Sequence, residues 1–237
     1  MAARVIELAS VQNHLIEGLT RRARKSLLVI CEPVELEFAQ VLSDQYEPTR
    51  HVYFPTVGFI SLVTAIEGKP VLEVGMVGRE GMLGAHLALG VGLSPLHSIV
   101  QGAGAAWRIS VRNFRLELGR SPPLQQCLDR YLYVLMAQLA SSAACLRFHQ
   151  IGPRLARWLL MSQDRAHADA FHVTHEFLAY MLGVRRVGIT SAAGVLLRQG
   201  LIDYHRGEMR IVDRRGLESV ACSCYAADCS AYENVIH

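Results

Sequence analysis

The segment from residue 174 to residue 202, THEFLAYMLGVRRVGITSAAGVLLRQGLI, has the pattern of two short helices joined by a tight turn. Thr174 is a suitable N-cap for the first helix, and Gly183 can supply the positive φ angle that a three-residue turn between crossed helices requires. The small residues Ala179 and Gly188 allow the helices to approach closely. The segment therefore predicts a helix-turn-helix, whose second helix lies in the major groove of DNA.

Arginines stand where this motif would meet DNA. Arg185 and Arg186 open the second helix, where side chains and helix-end N–H groups can face phosphates and base edges. The following residues, LIDYHRGEMRIVD (201–213), predict two short strands around a turn at Arg206. Arg206 and Arg210 of this hairpin are placed to contact the flanking DNA backbone. The whole region is interpreted as a winged helix-turn-helix.

Charge is concentrated in the same third of the chain. Residues 151–215 hold ten arginines and six acidic residues, a net charge of +4, whereas the complete sequence has a net charge of +3. The excess indicates an anionic partner, and the helix-turn-helix pattern makes double-stranded DNA the expected one. No phosphate-binding P-loop, G-x-S-x-G or H-E-x-x-H motif is present, and His172 and His175 beside Glu176 are typical of a helix surface. We expect a protein that is not an enzyme.

The predicted secondary structure changes twice in the sequence before this region. Residues 10–44 are typical of short helices, and residues 50–112 contain short β-prone runs separated by glycine and proline, which predict an antiparallel sandwich or barrel. A long helix follows, with Ser121 as N-cap and Pro122 in its first turn. Gly152-Pro153 is expected to end that helix and to form a hinge.

The long helix carries a heptad pattern. Six residues are spaced by 4, 3, 4, 3 and 4 positions, as in a coiled-coil seam: Leu128, Leu132, Leu135, Leu139, Ser142 and Leu146. A dimer-forming helix is the preferred interpretation, and an ordinary core helix is the alternative.

Length and composition limit the class of protein. The chain has 237 residues, 51% hydrophobic and 19% charged, which favours two folded domains and excludes a disordered chain. No apolar run is expected to reach the roughly 18–20 uninterrupted residues of a membrane helix, and the N-terminus lacks the apolar stretch of a signal peptide. We therefore expect a soluble, cytoplasmic protein with no membrane partner.

These features together resemble the Crp–Fnr family of bacterial transcription regulators. HVYFP (51–55), GFISLV (58–63) and EVGMVGREGMLG (73–84) are similar to the β-roll of that family. The resemblance implies an α+β fold with a jelly-roll-like sensor domain over residues 1–120. A dimerisation helix over 121–151 and a winged helix-turn-helix domain over 152–237 would follow. It also implies a homodimer on an inverted repeat, with RNA polymerase as a further partner of an activator, and no cofactor.

By the same resemblance, Arg186 occupies the position that commonly reads a guanine, and Arg185 faces a phosphate. Thr190 and Ser191 lie one turn later on the exposed side. The family often has a glutamate directly after the base-reading arginine and a further arginine later, where this chain has Val187 and Ser191. Valine offers only apolar contact to a base, so the DNA sequence recognised is expected to differ.

The resemblance also directs attention to a sensor pocket. Cyclic-nucleotide members hold the cyclic phosphate with an arginine followed by a small hydroxyl residue, after a Gly-Glu turn. Leu96 and His97 stand near those two positions here. A degenerate pocket, or one for another small molecule, is the preferred interpretation, and a cyclic-nucleotide-gated regulator is an alternative. The candidate effector residues are Gly78, Arg79, Glu80, Gly81, His97 and Ser98.

Cysteines give a second alternative, a redox- or metal-responsive regulator. Cys222, Cys224 and Cys229 near His237 have donor atoms that suit zinc or a cluster. Their spacing, C-x-C-x4-C, matches no common zinc knuckle, and positions 222 and 229 would share one helical face. Helix packing is therefore the preferred interpretation of the tail. The remaining cysteines, Cys31, Cys127 and Cys145, are interpreted as isolated buried thiols, with no N-terminal group for an iron–sulfur cluster.

Overall fold

The structure is a computed structural model that describes residues 12–65, 67, 71–166, 168–205 and 207–236. The N-terminal segment 1–11, Arg206 and His237, on which part of the sequence interpretation falls, lie outside the described residues. Mixed helices and antiparallel sheets make up the chain, as the predicted α+β fold requires.

The N-terminal half is built on a five-stranded antiparallel sheet. Helices α1 (His14–Glu17) and α2 (Arg21–Val29) precede it. The strands are β1 (Glu32–Leu36), β2 (Val41–Ser43), β3 (His51–Thr64), β4 (Leu72–Val77) and β5 (His97–Ser110). Their order is β1-β5-β3-β4, with β2 also paired to β5. The short helices predicted over 10–44 are thus only partly right, because β1 and β2 occupy the second half of that stretch.

Bulges allow the two long central strands to bend into a roll. The β3–β5 pairing shifts register three times between Pro55 and Ile60. Gly58 has a φ angle of +80°, and a Cβ atom there would lie 2.2 Å from the carbonyl oxygen of Gly102. Only glycine fits this position, so the bulge is encoded in the sequence.

The linking helices follow in chain order. A 3-10 helix (Ala85–Leu89) precedes β5, and α3 (Val111–Leu118) leads to α4 (Pro122–Phe148) and α5 (Ile151–Ala166). Ser121 makes no side-chain capping bond to α4. The break between α4 and α5 falls at His149, whose backbone is extended, so the prediction that Gly152-Pro153 ends the long helix is wrong. Pro153 instead lies in the first turn of α5, where a missing N–H is tolerated.

The face of α4 that was predicted to form a seam packs mainly within the protomer. Leu128 is buried in the N-terminal core, and Leu132 and Leu135 pack against that core. Leu139 of the predicted seam is 37% exposed, whereas the more exposed Tyr133 (56%) and Met136 (63%) each lie one position after a seam residue. A heptad pattern indicates an apolar stripe but not which element covers it.

Helix α4 is also long and apolar enough, by length and composition, to cross a membrane, with a mean hydropathy of 1.2 over its best window. Its longest uncharged run, residues 131–146, lies between Arg130 and Arg147 and stays below the roughly 18–20 uninterrupted residues of a membrane helix, as the sequence predicts. Only 22% of the window is buried within the protomer. Such an exposed apolar helix needs a covering surface.

The C-terminal part combines a small sheet with helices. It contains β6 (Ala170–His172), α6 (His175–Met181), α7 (Arg186–Arg198), β7 (Ile202–His205), β8 (Glu208–Ile211), α8 (Arg214–Val220) and α9 (Cys224–Ile236). The sheet order is β6-β8-β7, antiparallel throughout. One core cluster joins Leu155 and Leu159 of α5 to Ile189 of α7, and it also includes Phe59 and Met76 of the N-terminal sheet.

A buried carboxylate lies at this junction. Glu73 of β4 accepts a hydrogen bond of 2.7 Å from Trp158 Nε1 of α5 and another from the hydroxyl of Ser61. Burial disfavours its charged form and raises its pKa to about 7, although both bonds act in the opposite direction. Glu73 therefore holds its proton in the folded protein at a pH where the unfolded chain has lost it.

This difference predicts a pH-dependent stability. Because the folded pKa exceeds the unfolded value of about 4.3, folding is less favoured as pH rises from about 4 to about 7. Glu73→Gln, which stays neutral, should remove this part of the dependence, worth up to about 3 kcal/mol. Urea denaturation of both proteins across this range measures it. Parallel pH profiles for the two proteins would contradict the assignment.

Candidate nucleic-acid interface

The helix-turn-helix is held by local contacts. Thr174 Oγ1 accepts a hydrogen bond of 3.1 Å from the backbone N–H of Phe177, which caps α6 as predicted. Gly183 has a φ angle of +62°, and the N–H of Val184 returns to the carbonyl of Ala179 at 2.9 Å. The turn between α6 and α7 thus needs the glycine that the sequence supplies.

Helix α7 has a buried side and an open side. Ile189, Ala193 and Leu196 are buried against the domain core. Gly188 lies close to α5, since a Cβ atom there would be 2.8 Å from Cδ1 of Ile151. One side of α7 is therefore packed tightly against the domain, and this packing fixes the orientation of the side that faces solvent.

The open side carries the predicted DNA-contacting residues. Arg185, the N-cap residue of α7, and Arg186 are exposed, and Val187 is 72% exposed. Within the described part of the chain, neither guanidinium is in an ion pair. Ser191 is also exposed. This surface presents two charged forks at a helix N-terminus, where phosphates and base edges are commonly bound.

Thr190 is committed to contacts within the domain. Its hydroxyl donates to the carbonyl oxygen of Arg186 at 3.1 Å and lies 3.1 Å from Nδ1 of His175. His175 stacks on Tyr204 of β7 with a centroid distance of 4.5 Å. Burial, together with the charge of Arg186, lowers the pKa of His175. The histidine therefore braces α6 against α7 and the wing, a role that sequence reasoning missed.

The wing is the β7–β8 hairpin with β6 added at its other edge. Arg210 lies on β8, is exposed, and is paired in register with Asp203 of β7. Gly207 follows the tip with a φ angle of +85°. The structure thus places Arg210 on a different element from Arg185 and Arg186, but in the same compact unit.

Comparison with known proteins agrees with this geometry. Residues 153–220 match the family model of the Crp-like helix-turn-helix domain. This part of the chain is a Crp-like helix-turn-helix domain. The sequence-based resemblance to Crp–Fnr transcription regulators is confirmed. The search of curated proteins found no match to this sequence.

Solved structures extend the similarity over most of the fold. FixK2 of Bradyrhizobium japonicum is 16% identical with a TM-score of 0.61, over 82% of this chain and 98% of that one. The c-di-GMP responsive regulator CLP of Xanthomonas campestris is 15% identical with a TM-score of 0.63, over 81% and 99%. A CRP-family regulator of Thermus thermophilus is 18% identical with a TM-score of 0.64, over 79% and 96%. The Crp-like domain is thus attached to a Crp/Fnr-type β-roll.

The Gly78–Gly81 turn of that β-roll is filled by protein groups. The Glu80 carboxylate accepts from the N–H of Gly78 at 3.1 Å and forms an ion pair of 2.9 Å with Arg165 Nε of α5. The Tyr232 hydroxyl donates to the carbonyl oxygen of Glu80. At Gly81, a Cβ atom would lie 2.0 Å from the hydroxyl oxygen of Tyr131. The turn is therefore packed against α4, α5 and α9.

The other two candidate effector residues are engaged elsewhere. Nδ1 of His97 lies 2.9 Å from a carboxylate oxygen of Asp44, and the buried Ser98 accepts from Ser43 at 3.0 Å. A cavity of about 700 Å³ is lined by Arg79 and Glu80 but not by His97 or Ser98. The six candidate residues thus do not line one described pocket.

The cysteines are arranged differently from the sequence expectation. Cys222 precedes α9, which begins at Cys224, so Cys222 and Cys229 do not share the face of one helix. Cys145 is not isolated, since its sulfur lies 3.5 Å from that of Cys222. Cys229 lies apart from both and lines the cavity described above. The missed signal was a C-x3-H pair, Cys145 and His149, at the end of the long helix.

Proposed function

We propose that this protein is a homodimeric, sequence-specific transcription regulator that binds an inverted repeat, with α7 of each protomer in a major groove. The observation that best supports this proposal is the open side of α7, where Arg185 and Arg186 are exposed and have no carboxylate partner among the described residues. Arg185 is assigned to phosphate and Arg186 to a base edge, with Ser191 beside them and Arg206 and Arg210 of the wing on the flanking backbone.

The dimer interface is assigned to the open face of α4. Tyr133, Met136 and Ala140 recur at heptad spacing on that face and are exposed in the protomer. Burying them against a second α4 would remove a long apolar stripe from water. A two-fold axis along α4 would then place the two α7 helices symmetrically, as an inverted repeat requires. We propose a cytoplasmic, non-enzymatic protein, with RNA polymerase as the further partner if it activates.

The Glu80 turn is proposed to be a degenerate sensor site. A cyclic nucleotide would need the Glu80 carboxylate and a nearby guanidinium, but Arg165 of α5 already neutralises Glu80 from within the protein. Leu96 and His97 provide no guanidinium. Equilibrium dialysis with cAMP, cGMP and c-di-GMP is expected to show no saturable binding. Saturable binding that Arg165→Ala alters would instead support the cyclic-nucleotide-gated alternative.

Selection from genomic DNA fragments tests the proposed function. Purified protein is mixed with fragments without an effector, and bound DNA is sequenced. Enrichment of an inverted repeat is expected. If wild-type protein enriches no sequence with or without the three cyclic nucleotides, the proposal of a sequence-specific regulator is wrong.

A further inference from the structure

Four metal-binding side chains from distant parts of the chain meet at the carboxyl end of α4. Their ligand atoms all lie within 4.8 Å of one another. We call this group the thiol–histidine cluster, which consists of Cys145, His149, Cys222 and Cys224. Two members come from the last turn and the C-cap of α4, and two come from the junction of α8 with α9, more than 70 residues later.

We propose that the thiol–histidine cluster is a structural zinc site. Three cysteines and one histidine form a common ligand set of closed, four-coordinate zinc sites. With zinc–sulfur bonds of about 2.3 Å and a zinc–nitrogen bond of about 2.0 Å, tetrahedral geometry puts the ligand atoms about 3.5–3.8 Å apart. The Cys145–Cys222 sulfur distance and the distance from the Cys224 sulfur to Nδ1 of His149 are both 3.5 Å. The cluster needs only small side-chain movements to close around zinc.

The surroundings suit the charge of such a site. Zinc bound by three thiolates and a neutral imidazole has a net charge of −1, which is costly to bury alone. Arg154 and Arg157, which lie one turn apart on α5, both interact electrostatically with Cys145 and Cys222. Arg157 already pairs with Asp228 at 2.6 Å, whereas Arg154 has no carboxylate partner among the described residues. Arg154 therefore offers the compensating charge.

The position of the cluster defines what zinc would stabilise. The three cysteines are buried and His149 is partly buried, as a closed structural site requires. The N–H of Cys222 donates to the carbonyl oxygen of Pro153 in the first turn of α5. Zinc would thus hold the α4–α5 break and the α8–α9 junction together, and with them the Crp-like domain and α4. Zinc at this position would stabilise the connection between α4 and the Crp-like domain whether or not the protein binds DNA.

Metal analysis of the full-length chain tests the proposal. Protein purified anaerobically with reductant is expected to contain one zinc per chain. After chelation, titration with Co²⁺ should give the absorption of a tetrahedral cobalt–thiolate site, which zinc then displaces. Cys222→Ser and His149→Ala should lose stoichiometric zinc and change the cobalt spectrum. The matched control, Cys229→Ser, changes a half-buried cysteine that lies near Cys224 in sequence but outside the cluster, and it should retain both properties.

Several results would overturn the proposal. If the wild-type protein binds neither zinc nor Co²⁺ through thiolates, the proposal is wrong, whatever the variants show. A Cys145–Cys222 disulfide in the isolated protein, seen as four instead of six titratable thiols after denaturation without reductant, would replace the metal site with a redox bond. Stoichiometric iron and sulfide in the purified protein would show that the site holds an iron–sulfur cluster and not zinc. Loss of zinc in Cys229→Ser, with its circular dichroism unchanged, would place the ligands elsewhere.

Discussion

Replacement of both Arg185 and Arg186 by alanine is expected to weaken binding to the selected DNA by at least about 100-fold. A bidentate contact from arginine to a guanine edge contributes about 1–3 kcal/mol of discrimination, and a phosphate contact adds salt-dependent affinity. Both side chains are exposed and support no described core contact, so the fold should be retained. Fluorescence anisotropy on the selected site at two salt concentrations measures the loss.

The single variants separate the two roles. Arg186→Ala should relax base preference at one position of each half-site, whereas Arg185→Ala should weaken all sequences alike and reduce the salt slope by about 1. Arg112→Ala with Arg120→Ala is the matched control, because it removes the same charge from exposed residues in and after α3. Equal losses in the two double variants would show that net charge, and not the surface of α7, determines binding.

Met136→Asp is expected to dissociate the homodimer and, as a consequence, to abolish tight binding to the inverted repeat. Met136 is 63% exposed in the protomer, so the substitution should not disturb the monomer fold. In a dimer through α4 it would bury an unpaired carboxylate next to its symmetry mate. A buried charge without a partner costs about 3–5 kcal/mol, enough to raise the dimer dissociation constant by more than about 100-fold.

Sedimentation equilibrium of wild type and variant measures this dissociation. Leu116→Asp is the control, because Leu116 is an exposed apolar residue of α3, with 51% exposure, outside the proposed interface. The control should remain dimeric. A dimeric Met136→Asp protein, or dissociation of the Leu116→Asp protein, would show that the open face of α4 is not the interface.

The parts predicted correctly from sequence depend on local chemistry. Thr174 caps α6 through the N–H of Phe177 and Gly183 turns the chain, and each of these effects acts within a few residues. The apolar spacing around Ile189 likewise identifies the buried side of α7. The wing follows from the same kind of information, because Gly207 and the flanking β-prone residues define the hairpin. Local rules of this kind can be read directly from a sequence.

The parts that were missed depend on contacts distant in the chain. The sequence gives no sign that Glu80 pairs with Arg165, which lies 85 residues away, so it predicts a more accessible sensor turn than the structure has. The partners of Cys222 and Cys224 lie on α4, and sequence spacing within the tail could not identify them. Heptad spacing located an apolar stripe on α4 but not the neighbouring stripe at Tyr133 that remains open.

In the proposed dimer, two α7 helices read two symmetric half-sites. Chemical footprinting of wild-type protein on the selected DNA tests it most directly, because each major-groove contact leaves its own protected segment. Two protected segments related by a two-fold axis, with centres about one helical turn or 34 Å apart, are the predicted result. A single protected segment, or two segments in direct repeat, would contradict it.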